Sequence, residues 1–137
     1  MFNCFEMRLS DDDIQKISTL GLAHLGDAVF ELMVRAWLCE NGGATSKGLH
    51  RAAVCYVSAP AQAEAAARIL PRLTDDERAI YIRGRNAKVN SVPSHASLEQ
   101  YHAATGLEAL FGYIYLRGEL DRLNVLFDII MEEQNAS

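Results

Sequence analysis

The stretch that most constrains the fold is an apolar run between Thr19 and Glu40. Apolar residues recur in it at intervals of three or four positions, which is the spacing of one buried face of a helix. The members of this stripe are Leu22, Leu25, Val29, Leu32, Met33 and Ala36. Asn41, Gly42 and Gly43 follow directly, and glycine after a periodic run is a helix stop signal. The pattern therefore predicts one long helix.

Helix start signals recur through the rest of the chain. Thr74 and Glu77 have the spacing of a capping box, as do Ser97 and Gln100. Further starts are expected at Ser10 before the acids Asp11 to Asp13, at Thr45 or Ser46, and at Ser58-Ala59-Pro60. No segment alternates as a half-buried strand does. We predict an all-α domain of about seven helices.

Composition and cysteine usage restrict the class of protein. A chain of 137 residues, half of them hydrophobic, is long enough for one domain with a real core. It has no apolar run of about 18 residues, so we expect no transmembrane helix, and the N-terminal segment does not resemble a signal peptide. Cys4, Cys39 and Cys55 are scattered without CxxC spacing. This predicts a reducing cytoplasm, with neither a disulfide framework nor a zinc site.

Asp27 lies in the middle of the long predicted helix without a local cation. The residues three and four positions away are Ala23, His24, Phe30 and Glu31. Other acids in predicted helices have an arginine within one turn: Glu31 has Arg35, Glu64 has Arg68, and Glu119 has Arg122. Asp27 is too far from either end of the helix to cap it, so its carboxylate needs a partner from another element.

Glu108 shares this isolation in a second apolar helical run. Its neighbours one turn away are Ala104, Thr105, Phe111 and Gly112, none of them charged. Two interpretations remain open for the two acids. Each could form a buried ion pair with an arginine of another helix, which describes a purely structural protein, or both could bind one divalent cation. A magnesium ion suits the interpretation with one shared cation, because it prefers oxygen ligands and is usually bound by only one or two protein carboxylates.

Three stretches carry a resemblance to a known family. LAHLGDAVFELMVR is similar to the signature helix of the ribonuclease III family, and TGLEALFGYIYLRG resembles its second catalytic helix. The intervening LHRAAVCYVSAPAQAEAAARILPRLTDDERAIYIRGRNAK resembles the Mini-ribonuclease III branch, bacterial enzymes with the nuclease domain and no double-stranded-RNA-binding domain. The resemblance extends from about Leu20 to Phe127 and implies one catalytic domain over residues 1–137.

The resemblance implies a specific chemistry. Asp27 and Glu108 take the positions of catalytic, metal-binding acids, and the implied cofactor is Mg²⁺, for which Mn²⁺ can substitute. Larger relatives have additional acids where this chain has Ala23 and Thr105, so the number of metal ions per site stays open. The implied enzyme is a homodimer that cleaves double-stranded RNA in the maturation of large-subunit (23S) ribosomal RNA. No membrane and no nucleotide cofactor are implied.

The charge distribution locates a candidate RNA contact. A net charge of −5 argues against nucleic-acid binding, but six of the 13 basic residues lie between positions 68 and 88. By the resemblance, the RNA-binding side chains are Arg83, Arg85, Asn86 and Lys88. From the residues alone, the same stretch is also explained as a solvated helix C-terminus. The alternative function is a catalytically silent helical module that binds RNA or protein.

Overall fold

Seven helices make up the chain in the computed structural model, which describes residues 1–42, 45–88 and 96–135, with the backbone alone beyond residue 132. They are α1 Asp11–Gln15, α2 Thr19–Asn41, α3 Ser46–Val57, α4 Ala59–Ile69, α5 Asp75–Arg85, α6 Leu98–Leu116 and α7 Leu120–Asn135, and a 3-10 turn, Leu70–Arg72, follows α4. The described ranges contain no strand. The prediction of an all-α domain of about seven helices is confirmed.

The helices begin where the sequence signals predicted. The side chains of Ser10, Thr45 and Ser58 each accept a hydrogen bond from a backbone N–H of the first turn. Both reciprocal capping boxes form, at the start of α5 and at the start of α6. None of the described helices is long and apolar enough to cross a membrane.

Helix α6 lies at the centre of the domain and packs against α2, α4, α5 and α7. From Ala104 to Leu116 every residue is buried except Glu108, which is half-buried. Phe111 of α6 and Phe127 of α7 pack edge-on against Phe30 of α2, with ring centroids 5.4 Å and 6.1 Å away. Because α6 is surrounded by apolar partners, Glu108 is its conspicuous polar position.

Two glycines let α2 and α6 approach unusually closely. A side chain at Gly26 would overlap the carbonyl oxygen of Glu108, and one at Gly112 would overlap that of Leu22. Only hydrogen atoms fit at these positions, so the two backbones touch directly. The crossing point therefore lies beside Asp27, the residue after Gly26.

The predicted apolar stripe of α2 is only partly covered. Leu22 and Val29 are buried as expected, but Leu32 is 54% exposed and Ala36 is also exposed. The reason is geometric, because α6 crosses α2 on the side of Gly26 and leaves the adjacent face of α2 open. The expectation of one fully buried stripe was wrong at these two positions.

One predicted local ion pair was also wrong. The pairs of Glu31 with Arg35 and of Glu64 with Arg68 are present. Arg122, however, donates two hydrogen bonds of 2.8 Å to Glu77 of α5, and Glu119 accepts from Arg117 instead. The planar guanidinium of Arg122 donates to both oxygens of the buried Glu77 carboxylate. The more exposed Glu119, one turn away, does not offer this arrangement.

Candidate active site

The crossing of α2 and α6 places the carboxyl groups of Asp27 and Glu108 next to each other. Asp27 is exposed at the rim, whereas Glu108 is half-buried behind it. The sequence singled out both acids for their isolation, and the structure brings them together. Their approach follows from Gly26, because any larger residue there would separate the two helices.

The electrostatics of this pair are unfavourable for two ionised acids. No lysine, arginine or histidine forms a salt bridge with Asp27 or Glu108 among the described residues, so the structure contradicts the ion-pair interpretation there. Burial, with the adjacent charge of Asp27, raises the pKa of Glu108 from 4.5 to about 8. Such a pair gains stability from any cation that binds between the two carboxylates.

Gln62 of α4 is the third polar side chain of this site. It is only 2% exposed, and its amide lies close enough to Glu108 to lower that group's pKa, partly opposing Asp27. Its Nε2 nevertheless has no hydrogen-bond partner of normal geometry among the described residues. The sequence contained a usable signal, since Gln62, Ala65, Ala66 and Ile69 form a stripe at helical spacing with one polar member. We had not singled it out.

The donor set fits a hard divalent cation. Two carboxylate groups converge at a backbone crossing, and Mg²⁺ commonly uses one or two protein carboxylates with water completing its coordination. In the described part of the chain, no group of three or more His, Cys, Asp or Glu side chains is arranged so that it could hold a metal ion. Ala23 is apolar and buried, and the Thr105 hydroxyl donates to the Tyr101 carbonyl at 2.9 Å, so neither adds a carboxylate.

The candidate RNA-binding residues lie on the surface, in the last turn of α5 and just after it. Arg83 and Arg85 are exposed in the last turn of α5, and Asn86 and Lys88 are exposed just after it. Gly84, between the two arginines, packs against the turn of α6 that contains Glu108, where an added Cβ would come within 2.8 Å of the Gly106 backbone. The end of α5 is thereby fixed to the helix that carries Glu108.

Comparison with known proteins identifies the arrangement. The Ribonuclease III domain family matches residues 20–119, which include both acids and the end of α5. The chain belongs to the ribonuclease III family. It is therefore an RNA-cleaving endoribonuclease, of a family that generally depends on divalent metal ions.

The curated relatives place this ribonuclease III protein in the Mini branch. A Mini-ribonuclease 3 of Symbiobacterium thermophilum is 47% identical over 105 residues, covering 77% of this chain and 81% of the relative. Another Mini-ribonuclease 3, of Thermoanaerobacter sp. (strain X514), is 39% identical over 124 residues, covering 90% of this chain and 87% of the relative.

A solved structure supports the same fold assignment. The crystal structure of a Fusobacterium nucleatum protein matches with a TM-score of 0.81 at 28% identity, over 89% of this chain and 98% of the other. The predicted resemblance to the ribonuclease III family is confirmed.

Proposed function

We propose that the protein is a Mg²⁺-dependent endoribonuclease that hydrolyses double-stranded RNA, with Asp27 and Glu108 as its catalytic, metal-binding residues. The adjacency of these two carboxyl groups, without a cationic partner in the described residues, carries the proposal. Family membership supports it, because both acids fall within the matched region. Mn²⁺, with the same preference for oxygen ligands, should substitute for Mg²⁺.

The chain's own groups have distinct tasks in this reaction. The carboxylates of Asp27 and Glu108 would hold the cation, and the exposed position of Asp27 leaves access for a phosphate. The chemistry supplied by a bound Mg²⁺ is charge neutralisation at the scissile phosphate and a more acidic water. Because no protein nucleophile lies in the site as described, water is the attacking group of the proposed hydrolysis.

The basic end of α5 is the proposed RNA contact. Arg83, Arg85, Asn86 and Lys88 are exposed, and their side chains form no hydrogen bond or salt bridge with the other described residues, so they are available to contact a phosphate. A-form RNA presents its phosphates and 2′-hydroxyls to such side chains, so binding depends on helix shape more than on sequence. With few cations available and a net charge of −5, we expect affinity to fall steeply with salt.

A homodimer supplies the two sites that cutting both strands requires. Leu25, Ala28, Leu32 and Ala36 form an apolar stripe on α2 that the chain itself leaves partly uncovered. A groove of about 330 Å³ lies along it, between α2, the N-terminal segment and α7. An exposed apolar face next to Asp27 is suited to a self-complementary interface that places two sites side by side.

The dimer has its own test. Sedimentation at micromolar concentration should show a dimer for the wild type and a monomer for Leu32→Glu, which puts a charge on the stripe. A monomeric wild type at that concentration would contradict the two-site arrangement.

The decisive experiment is cleavage of a long RNA duplex with Mg²⁺ by the wild type, Asp27→Asn and Glu108→Gln. Single-stranded RNA and duplex DNA serve as substrates that should stay intact. Duplex-specific cutting by the wild type alone, with both variants folded, is the expected result. If no protein cuts but the wild type binds the duplex, the alternative of a silent RNA-binding module is correct.

The proposed natural substrate is the precursor of large-subunit (23S) ribosomal RNA in the cytoplasm. Support comes from the relatives' membership of one branch and from three unpaired cysteines, which suit a reducing compartment. Incubating the enzyme with precursor ribosomal RNA should produce discrete ends within double-stranded segments. Uniform degradation without discrete ends would argue against this substrate.

A further inference from the structure

The buried amide of Gln62 has no structural explanation in the domain itself. Its side chain is 2% exposed, on the face of α4 that also carries Ala65, Ala66 and Ile69, all of them at most 1% exposed. Apolar residues occupy the other positions of that face. A buried amide whose N–H groups lack an acceptor costs free energy, since water satisfied them in the unfolded chain.

The surroundings of the amide point to Glu108. Gln62 and Asp27 are the two side chains whose polar groups lie within hydrogen-bonding range of Glu108 in the described structure. Asp27 is exposed and approaches Glu108 from the solvent side, whereas Gln62 is buried and approaches it from the core. Glu108 is thus held between a carboxylate towards solvent and a hydrogen-bond donor towards the core.

We infer that Gln62 is a positioning residue, whose Nε2–H donates to the inner oxygen of Glu108 and directs the outer oxygen towards a cation shared with Asp27. This rests on the proposed metal-binding role of Asp27 and Glu108. Ligating carboxylates are commonly oriented by a hydrogen bond from a second residue, and losing such a partner typically weakens metal binding about 10- to 100-fold. The donor of Gln62 is near its acceptor, and α4 holds it there rigidly because the helix is packed against α6.

The test substitutes Gln62→Met, which keeps the length of the side chain and removes its donor. Binding of Mn²⁺ alone, without RNA, is measured from the electron paramagnetic resonance signal of the free ion. We expect the dissociation constant of Gln62→Met to rise about tenfold. Its melting temperature without metal should stay close to that of the wild type, because burial of an apolar side chain offsets the lost hydrogen bond to Glu108. The control Ile69→Val changes a fully buried residue of the same helix and should leave the Mn²⁺ affinity unaltered.

The outcomes separate this role from the proposed function. Wild type that binds Mn²⁺ and cleaves duplex RNA, together with an unchanged affinity in Gln62→Met, would overturn the role of Gln62 alone. Wild type that neither binds Mn²⁺ nor cleaves would overturn both. An equal loss of affinity in Ile69→Val would show that general packing of α4 is responsible. If Gln62→Met fails to fold, Gln62→Leu replaces it in the same measurement.

Discussion

Two glutamates in the same domain, Glu77 and Glu108, are held in opposite electrostatic environments. Glu77 is 4% exposed and accepts two hydrogen bonds of 2.8 Å from Arg122 and one of 2.9 Å from the Thr74 backbone. Burial alone would raise its pKa, but these donors lower it below the usual value. Glu108 is half-buried beside another acid, and its burial, together with the charge of Asp27, raises its pKa to about 8. One carboxylate is fully partnered within the chain, and the other is not.

This contrast separates a structural acid from one that awaits a ligand. The surroundings of Glu77 already compensate its charge, so the residue stabilises the junction of α5 and α7 with nothing added. The surroundings of Glu108 increase the free-energy cost of ionising its carboxyl group. Groups of acids with pKa values perturbed in this way are typical of functional sites. Replacing Glu108 should therefore lower activity and raise the stability of the metal-free protein, whereas replacing Glu77 should lower stability and leave activity unchanged.

The largest expected effect is the loss of RNA cleavage caused by Glu108→Gln or Asp27→Asn. Either change removes a ligand of the proposed cation, and we expect the cleavage rate to fall on the order of 10³-fold. Without metal, however, Glu108→Gln should raise the free energy of unfolding by about 1 kcal/mol, since repulsion and desolvation of a charge are relieved. Single-turnover cleavage and urea unfolding with a chelator measure the two effects.

Glu31→Gln is the matched control for these variants. Glu31 lies one turn from Asp27 on the same helix, and its exposed partner Arg35 is 2.7 Å away. We expect neither the rate nor the stability to change much, because exposed pairs contribute about 0.5 kcal/mol. A thousandfold loss of cleavage in this control would show that the helix surface, and not the acid pair, is responsible.

The next effect comes from Gly26→Ala, which tests whether the glycine contact keeps the two acids together. The added methyl group would overlap the backbone of Glu108, so α2 and α6 must separate, at a cost of about 3 kcal/mol in the free energy of unfolding. A shift of about 1 Å in a catalytic group can lower a rate on the order of 10²-fold. Gly42→Ala is the control, because no atom of the described residues lies within 4 Å of the added methyl group there. Thermal melting measures the loss of stability, and the cleavage rate at a temperature where both variants are folded shows whether the two acids have moved apart.

Local features of the chain were predictable, and contacts between distant helices were not. Capping at Thr74 and Ser97 depends on residues three positions apart, so the sequence pattern was sufficient. The isolation of Asp27 and Glu108 was equally visible, because it is defined by residues within one turn. Their roles in catalysis stay a prediction until the variants are measured.

The errors arose where a distant partner outcompeted a local one. Arg122 bonds Glu77, which is 45 positions away, because the buried carboxylate offers two acceptors and the exposed Glu119 does not. Gln62 was missed because its significance depends on the packing of α4 against α6. The spacing of apolar residues also does not show which side of an apolar helix the other helices of the same chain will cover. For this reason Leu32 was expected to be buried.

A smaller effect is expected from Glu77→Gln. The substitution keeps an amide oxygen that can accept from the Thr74 backbone but leaves Arg122 without its counter-charge. We expect the free energy of unfolding to fall by about 2 kcal/mol, below the range for a fully buried pair because Arg122 is partly exposed. The cleavage rate of the folded protein should stay unchanged, which single-turnover assays can show. A loss of cleavage equal to that of Glu108→Gln would remove the distinction between the two acids.

The smallest effect is the opposite pH dependence of the two glutamates. The pKa of Glu108 without metal is about 8 in the folded protein and 4.5 when unperturbed, so between these values the folded state binds more protons. Stability from this residue therefore decreases as the pH rises through that window. The pKa of Glu77 is lowered instead, so its contribution is complete above the unfolded value and is lost as the pH falls towards the folded one. The measurement is urea unfolding of the metal-free proteins at about pH 5.5 and about pH 7.5. Between these values, the free energy of unfolding of the wild type should fall by about 1 kcal/mol more than that of Glu108→Gln. Glu77→Gln should lose as much stability over this range as the wild type, because it retains Glu108. Equal slopes for wild type and Glu108→Gln would mean that burial and the adjacent Asp27 do not raise the pKa of Glu108 in solution.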